Sequence, residues 1–250
     1  RQGFYVHLPK GRSGVTAINV LNNSPLVEIA MAAPLPTPPP ITPPNYQGNQ
    51  GYENDPSTGG IGAETIWANL EIYGQGIEVC DVEYDFNVNH CDLPYVGILG
   101  FDPVSNYGDD HGTAVLGAMV SLNDGTGTTG IAYGIDDVHF AGTYNGATWD
   151  VGNAIYRAAA AMPTGSVIVI EQQMSGPNGG NYVPIEWYAP WYNAVVVAVG
   201  NGMIVCEAAG NGYEDLDDAI YSQGNGGHYP FLAENDSGSI IVGAGGSYDS

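Results

Sequence analysis

Three residues far apart in this chain have the side chains that acyl transfer needs: Asp81, His111 and Asn211. Passing an acyl group between nucleophiles calls for a neutral imidazole to take a proton, a carboxylate to hold the ring in one tautomer, and a donor for the developing oxyanion. Taken singly, each has a plainer reading. Asp81 can cap a turn, His111 can cap the helix that starts in YGDDHGTAVLGAMVSL, and Asn211 can take a left-handed turn position in AGNG.

The surrounding elements must decide whether the three meet. Continuous apolar runs at residues 76–81, 138–141, 166–170, 203–206 and 239–243 read as strands buried on both faces. Helical patterns lie between them, clearest at residues 150–162, where Asp150 can cap an alanine-rich helix. Alternating strands and helices predict an α/β fold with a doubly wound, mostly parallel sheet and helices on both faces. In such sheets the site lies at the carboxyl ends of the strands. Asp81 ends the first run, residues 172–176 follow the third, and residues 208–211 follow the fourth.

Composition narrows the partners. Four Lys and Arg against 27 Asp and Glu give a net charge of -23, which excludes a phosphate-neutralising nucleic-acid surface. No apolar run is long enough to span a bilayer, so no membrane partner is expected. The 37 glycines, 17 prolines and 17 tyrosines suit a loop-rich secreted protein, and the chain opens on RQGFYV without a signal core. Cys80, Cys91 and Cys206 form neither an even set nor a metal-type pair, and are expected as buried free thiols. Seven prolines within residues 34–46 favour an extended linker. The division expected is therefore an N-terminal extension (1–33), a linker (34–58) and a main domain (59–250).

Three stretches in order, DVEYDFNVNHCDL from Asp81, HGTAVLG from His111 and EAAGNG around Asn211, resemble the subtilisin-like serine proteases. The resemblance covers roughly residues 59–250, with the segment before it similar to the end of a propeptide. It implies that Asp81 orients His111, that His111 is general base and then general acid, and that the Asn211 amide serves the oxyanion. It also implies a cleft for an extended peptide or protein substrate. Thr143, Tyr144, Asn145 and Gly146 would pair with the peptide, Gln173, Met174, Ser175 and Gly176 would form one pocket wall, and Ala208, Ala209 and Gly210 the other.

Calcium is a further implication, with Asp92, Leu122, Asp124, Thr126 and Thr128 as ligands. Departures from the family pattern are Cys80, Cys206 and the carboxylate of Glu207. The largest is the missing nucleophile motif: Ser237, Ser239, Ser247 and Ser250 lack the GTS context. The resemblance therefore implies an endopeptidase whose serine comes from a continuation beyond residue 250 or from a companion chain. The alternative is a catalytically inactive domain of the same family acting as a binding or structural module.

Overall fold

The computed structural model describes residues 6, 8, 11–32, 44–103, 107–222 and 228–245. The chain divides into two compact units, residues 1–42 and 43–250. The first contains α1 (Gly14–Asn22), whose first turn is capped by Ser13, with Oγ accepting from the Thr16 amide at 3.3 Å. No residue of α1 is buried, and Val15, Val20, Leu26 and Ile29 are exposed. The first part of the expected linker, residues 34–43, lies outside the described residues.

The second unit runs in the order α2 (Ala63–Leu70), β1 (Glu78–Val82), β2 (Val96–Ile98), α3 (Asp110–Val120), β3 (Asp137–Phe140), β4 (Tyr144–Asn145), β5 (Thr148–Trp149) and α4 (Val151–Ala161). It continues with β6 (Val167–Ile170), β7 (Gln173–Ser175), β8 (Tyr182–Pro184), α5 (Ala189–Gly200), β9 (Ile204–Ala208), α6 (Ala219–Ser222) and β10 (Ile240–Val242). Six strands form one parallel sheet in the order β10-β9-β6-β1-β3-β2. The expected α/β doubly wound architecture is the observed one.

Alternation along β1 divides the core. Cys80 and Val82 join Ile168, Ile170 and Val205 beneath α4 and α5, whereas Val79 joins Val138 and Phe140 against Leu116 and Val120 of α3. Helix α4 buries Val151, Ala154, Ile155 and Ala158, one stripe at helical spacing. Its start is the expected one, since Asp150 accepts from the Asn153 amide at 3.1 Å.

Two local expectations change. Residues 44–58, read as linker, form three 3-10 turns that bury Gln50 and Glu53. The Gln50 amide exchanges two hydrogen bonds of 2.7 Å with the Thr129 backbone, so this stretch belongs to the second unit. The edge strand β2, only Val-Gly-Ile, has no sequence expectation because three residues show no periodicity. Of the cysteines, Cys80 is buried, Cys206 half-buried and Cys91 exposed, which corrects the expectation that all three are buried.

Candidate active site

Strand β1 brings two carboxyl groups to the α3 side of the sheet. Asp81 lies inside the ladder, opposite Phe140 on one side and Val169 on the other. It is fully buried, and neither side-chain oxygen has a hydrogen-bond partner. Burial, and then the charges of Glu83 and Glu171, push its carboxyl well above the usual range.

Glu83 follows the last residue of β1 and is the carboxylate at the strand's end. Its backbone carbonyl accepts from the Thr143 amide at 3.0 Å. Its Oε1 is hydrogen-bonded to His111 Nδ1, and its Oε2 accepts from the Tyr84 amide and, at 2.6 Å, from Gln172 Nε2. Burial raises the Glu83 carboxyl, while the Tyr84 amide and His111 pull it down. The imidazole partner is therefore Glu83, and the expected bond from Asp81 to His111 is corrected: a carboxyl inside the ladder does not reach a ring at the strand's end.

His111 stands in the first turn of α3, its side chain 63% exposed while that of Glu83 is 1% exposed. The two residues after it explain how α3 comes this close. A Cβ on Gly112 would overlap the Asp85 carbonyl oxygen and lie 3.2 Å from the Glu83 side chain, so only glycine lets the helix approach. Thr113 Oγ1 donates to the Asp109 carbonyl at 2.6 Å and accepts from the Asn87 amide at 2.8 Å, fastening the loop after β1 to the helix start. The sequence His-Gly-Thr thus supplies a ring, a close approach and a clamp.

The same carboxyl edge carries the rest of the site, because β6 lies between β1 and β9. After β6, Gln172 turns to Glu83, and Gln173 Oε1 accepts from the Asn211 amide at 2.8 Å. Gln172 Oε1 in turn accepts from Trp149 Nε1 at 2.9 Å. Asn211 is exposed in the loop after β9. Before it, Gly210 has φ +90°, and a Cβ there would sit 2.8 Å from the Tyr182 carbonyl oxygen, which places the loop directly over β8.

Of the expected peptide-pairing residues, Thr143 is buried, Tyr144 and Asn145 pair with Trp149 and Thr148, and Gly146 turns this short hairpin with φ +59°. Gln173, Met174 and Ser175 pair antiparallel with β8, and the Gly176 amide donates to Asn181 at 2.6 Å. Ala208 ends β9, and the Ala209 amide donates to the Val242 carbonyl at 2.9 Å. Glu83 and Tyr84 have no place in the sequence reading, and Gln172 enters it only as the start of the stretch after the third strand, with no role of its own. The Tyr84 ring lies 5.0 Å from Tyr107, 5.8 Å from Tyr144 and 6.5 Å from Trp149.

The expected calcium residues are partly gathered. Asp92 Oδ2 accepts from the Thr128 amide and hydroxyl, both at 2.8 Å, and the Leu122 amide donates to the Asp92 carbonyl at 2.9 Å. Asp92 Oδ1 is buried with no hydrogen-bond partner, and oxygen donors of this kind suit calcium. Asp124 instead accepts from the Thr126 amide and hydroxyl at 2.9 and 2.7 Å. Among the described residues no group of three or more His, Cys, Asp or Glu is placed to hold a metal ion.

Charge around the site is one-sided. Arg157 is occupied by the Leu99 and Gly142 carbonyls and stacks 4.6 Å over Phe101. A second buried carboxyl pair is Glu186 with Glu207 of β9: Glu186 Oε1 accepts from Ser237 at 2.5 Å, and the Ser239 hydroxyl lies 2.8 Å from that oxygen and 3.3 Å from Glu207 Oε1. Burial, and then the charge of Glu186, holds Glu207 well above the usual range.

No family model matches the chain. It is 26% identical over 141 residues to subtilisin DY of Bacillus licheniformis, a match covering 55% of this chain and 48% of that protein. The chain thus spans about half the length of the curated relative it matches. Among solved structures it is similar to the S41 psychrophilic protease, with a TM-score of 0.39 and 22% identity over 60% of this chain and 52% of that one. It is also similar to the epidermin leader peptide processing serine protease of Staphylococcus aureus, with a TM-score of 0.40 and 22% identity over 60% of this chain and 40% of that one.

Proposed function

We propose that this chain carries the acid–base half of a serine endopeptidase site of the subtilisin-like kind. His111 is the general base, Glu83 holds its ring, and the Asn211 side-chain amide donates to the oxyanion. The observation that carries the reading is the bond between a buried Glu83 and an exposed His111 at the carboxyl end of β1. Among the described residues no serine hydroxyl is hydrogen-bonded to His111. The nucleophile is proposed to come from a continuation beyond residue 250 or from a companion chain.

In the reaction the exposed Nε2 of His111 takes the serine hydroxyl proton as Oγ attacks the peptide carbonyl, and later delivers it to the leaving amine. Glu83 stays ionised and balances the imidazolium. The extended substrate lies along the β7 and β9 segments that hold Asn211. Secretion belongs to this proposal, with residues 1–33 as a propeptide remnant and calcium at Asp92 as a structural support.

A fluorophosphonate probe applied to native material tests the reading. It should label a polypeptide or segment other than residues 1–250, and His111→Ala should abolish both labelling and peptide hydrolysis. Hydrolysis unaffected by His111→Ala would end the protease reading. Peptide binding without any labelled serine would replace it with an inactive binding module.

A further inference from the structure

We infer that Gln172 and Trp149 are positioning residues that decide which oxygen of Glu83 can carry a proton, and thereby hold His111 in the tautomer that can act as a base. The inference deepens the protease reading and rests on His111 being the general base.

An indole N–H can only donate. Trp149 Nε1 lies 2.9 Å from Gln172 Oε1, so the amide oxygen must face the indole and the amide nitrogen must face away. That nitrogen lies 2.6 Å from Glu83 Oε2 and can only donate to it. Flipping the amide would set N–H against N–H at one end and carbonyl against carboxylate at the other. Gln172 is fully buried, so water does not stand in for either bond. The indole is itself held edge-on by Trp191, with ring centroids 4.7 Å apart.

The consequence reaches His111 through proton bookkeeping. Glu83 Oε2 already receives the Tyr84 amide and Gln172, so a proton arriving on Glu83 must sit on Oε1, which faces His111 Nδ1. With Glu83 ionised, Nδ1 keeps its hydrogen and donates to Oε1, and the exposed Nε2 retains its lone pair. With Oε1 protonated, that proton is donated to Nδ1, the ring hydrogen moves to Nε2, and the ring no longer accepts from a serine. By donating to the ionised form of Glu83, Gln172 favours the first arrangement and opposes the effect of burial. Two residues that do not touch the imidazole would thus govern the base.

The test needs no turnover, so its outcome is separate from that of the probe and hydrolysis assays. Side-chain 13C and 15N resonances of Glu83 and His111 are followed against pH in the full chain, in Gln172→Met and in Trp149→Phe. Gln172→Met keeps length and packing but removes the donor, and should raise the Glu83 midpoint by about one pH unit or more. The His111 15N pattern should change from the Nδ1–H to the Nε2–H form over the same pH interval. Trp149→Phe, which only frees the amide to turn, should move both in the same direction by less. A Glu83 midpoint and His111 pattern unchanged from wild type in a folded Gln172→Met would overturn the inference. If that variant does not fold, an unchanged Trp149→Phe overturns it.

Discussion

Glu83 and His111 are joined through Oε1 and Nδ1, while Asp81, two residues earlier in the chain, has both side-chain oxygens buried and unpartnered. One carboxyl serves the ring and the other is shut inside the core. Replacing Glu83 by Gln in a preparation that hydrolyses peptides should lower kcat by roughly a thousandfold to ten-thousandfold, the scale of losing the ring's carboxylate partner. Asp81→Asn should stay within a few-fold. Comparing kcat of the two variants checks the assignment, and equal losses would count against it.

Asn211→Ala should lower kcat by roughly a hundredfold to a thousandfold, because its amide is proposed to meet charge that exists only in the transition state. KM should change little. A loss carried by KM alone would make Asn211 a residue of substrate binding.

Stability should fall as pH rises, opposite to ordinary acid denaturation. Glu53 is buried, and burial followed by the charge of Glu64 raises its pKa from 4.5 to about 7. A carboxyl whose pKa is raised on folding binds its proton more tightly in the folded state. Its contribution is complete below pH 4.5 and is lost as the pH climbs through about 7. Asp81, Glu83 and Glu207 are raised in the same direction. Melting curves between pH 4 and pH 8 should show Tm declining, and Glu53→Gln should flatten the decline; a Tm that rises across this interval contradicts the reading.

Calcium should raise Tm and a chelator should lower it, by mass action on a site present only in the folded chain. Asp92→Ala should abolish the response, because the orphaned Oδ1 is the proposed ligand. A response that survives Asp92→Ala places the ion elsewhere.

Much of this arrangement was legible in the residues. The strands announced themselves by β-branched runs such as Val-Ile-Val-Ile in β6, and Asp150 marked the start of α4. The histidine and its glycine were equally plain, since a titratable ring beside Gly-Thr at a helix start needs an explanation. What failed was a strand boundary: the expected run stops at 81, whereas β1 ends at Val82. Asp81 and Glu83 share alternation parity, so periodicity alone does not choose between them. The rule that sites follow the carboxyl end of a strand selects Glu83 once that end is known. Gln172 is placed at the right edge by the same rule, but its role is not legible, because a buried amide is recognised by the partners it meets across the fold, here Trp149 and Glu83.

Gln172 and Gln173 also constrain how this sequence can change over time. One side chain reaches the carboxylate that holds the imidazole, and its neighbour reaches the backbone that presents Asn211. Both are identical in type, so their separate tasks are set by position alone. Deleting or inserting one residue between β6 and this pair would hand each amide the other's direction, with no change in composition. The segment should therefore accept conservative replacement at Ile168 or Ile170 far more readily than any change of length, and drift in this lineage should leave the spacing from β6 to the glutamines untouched.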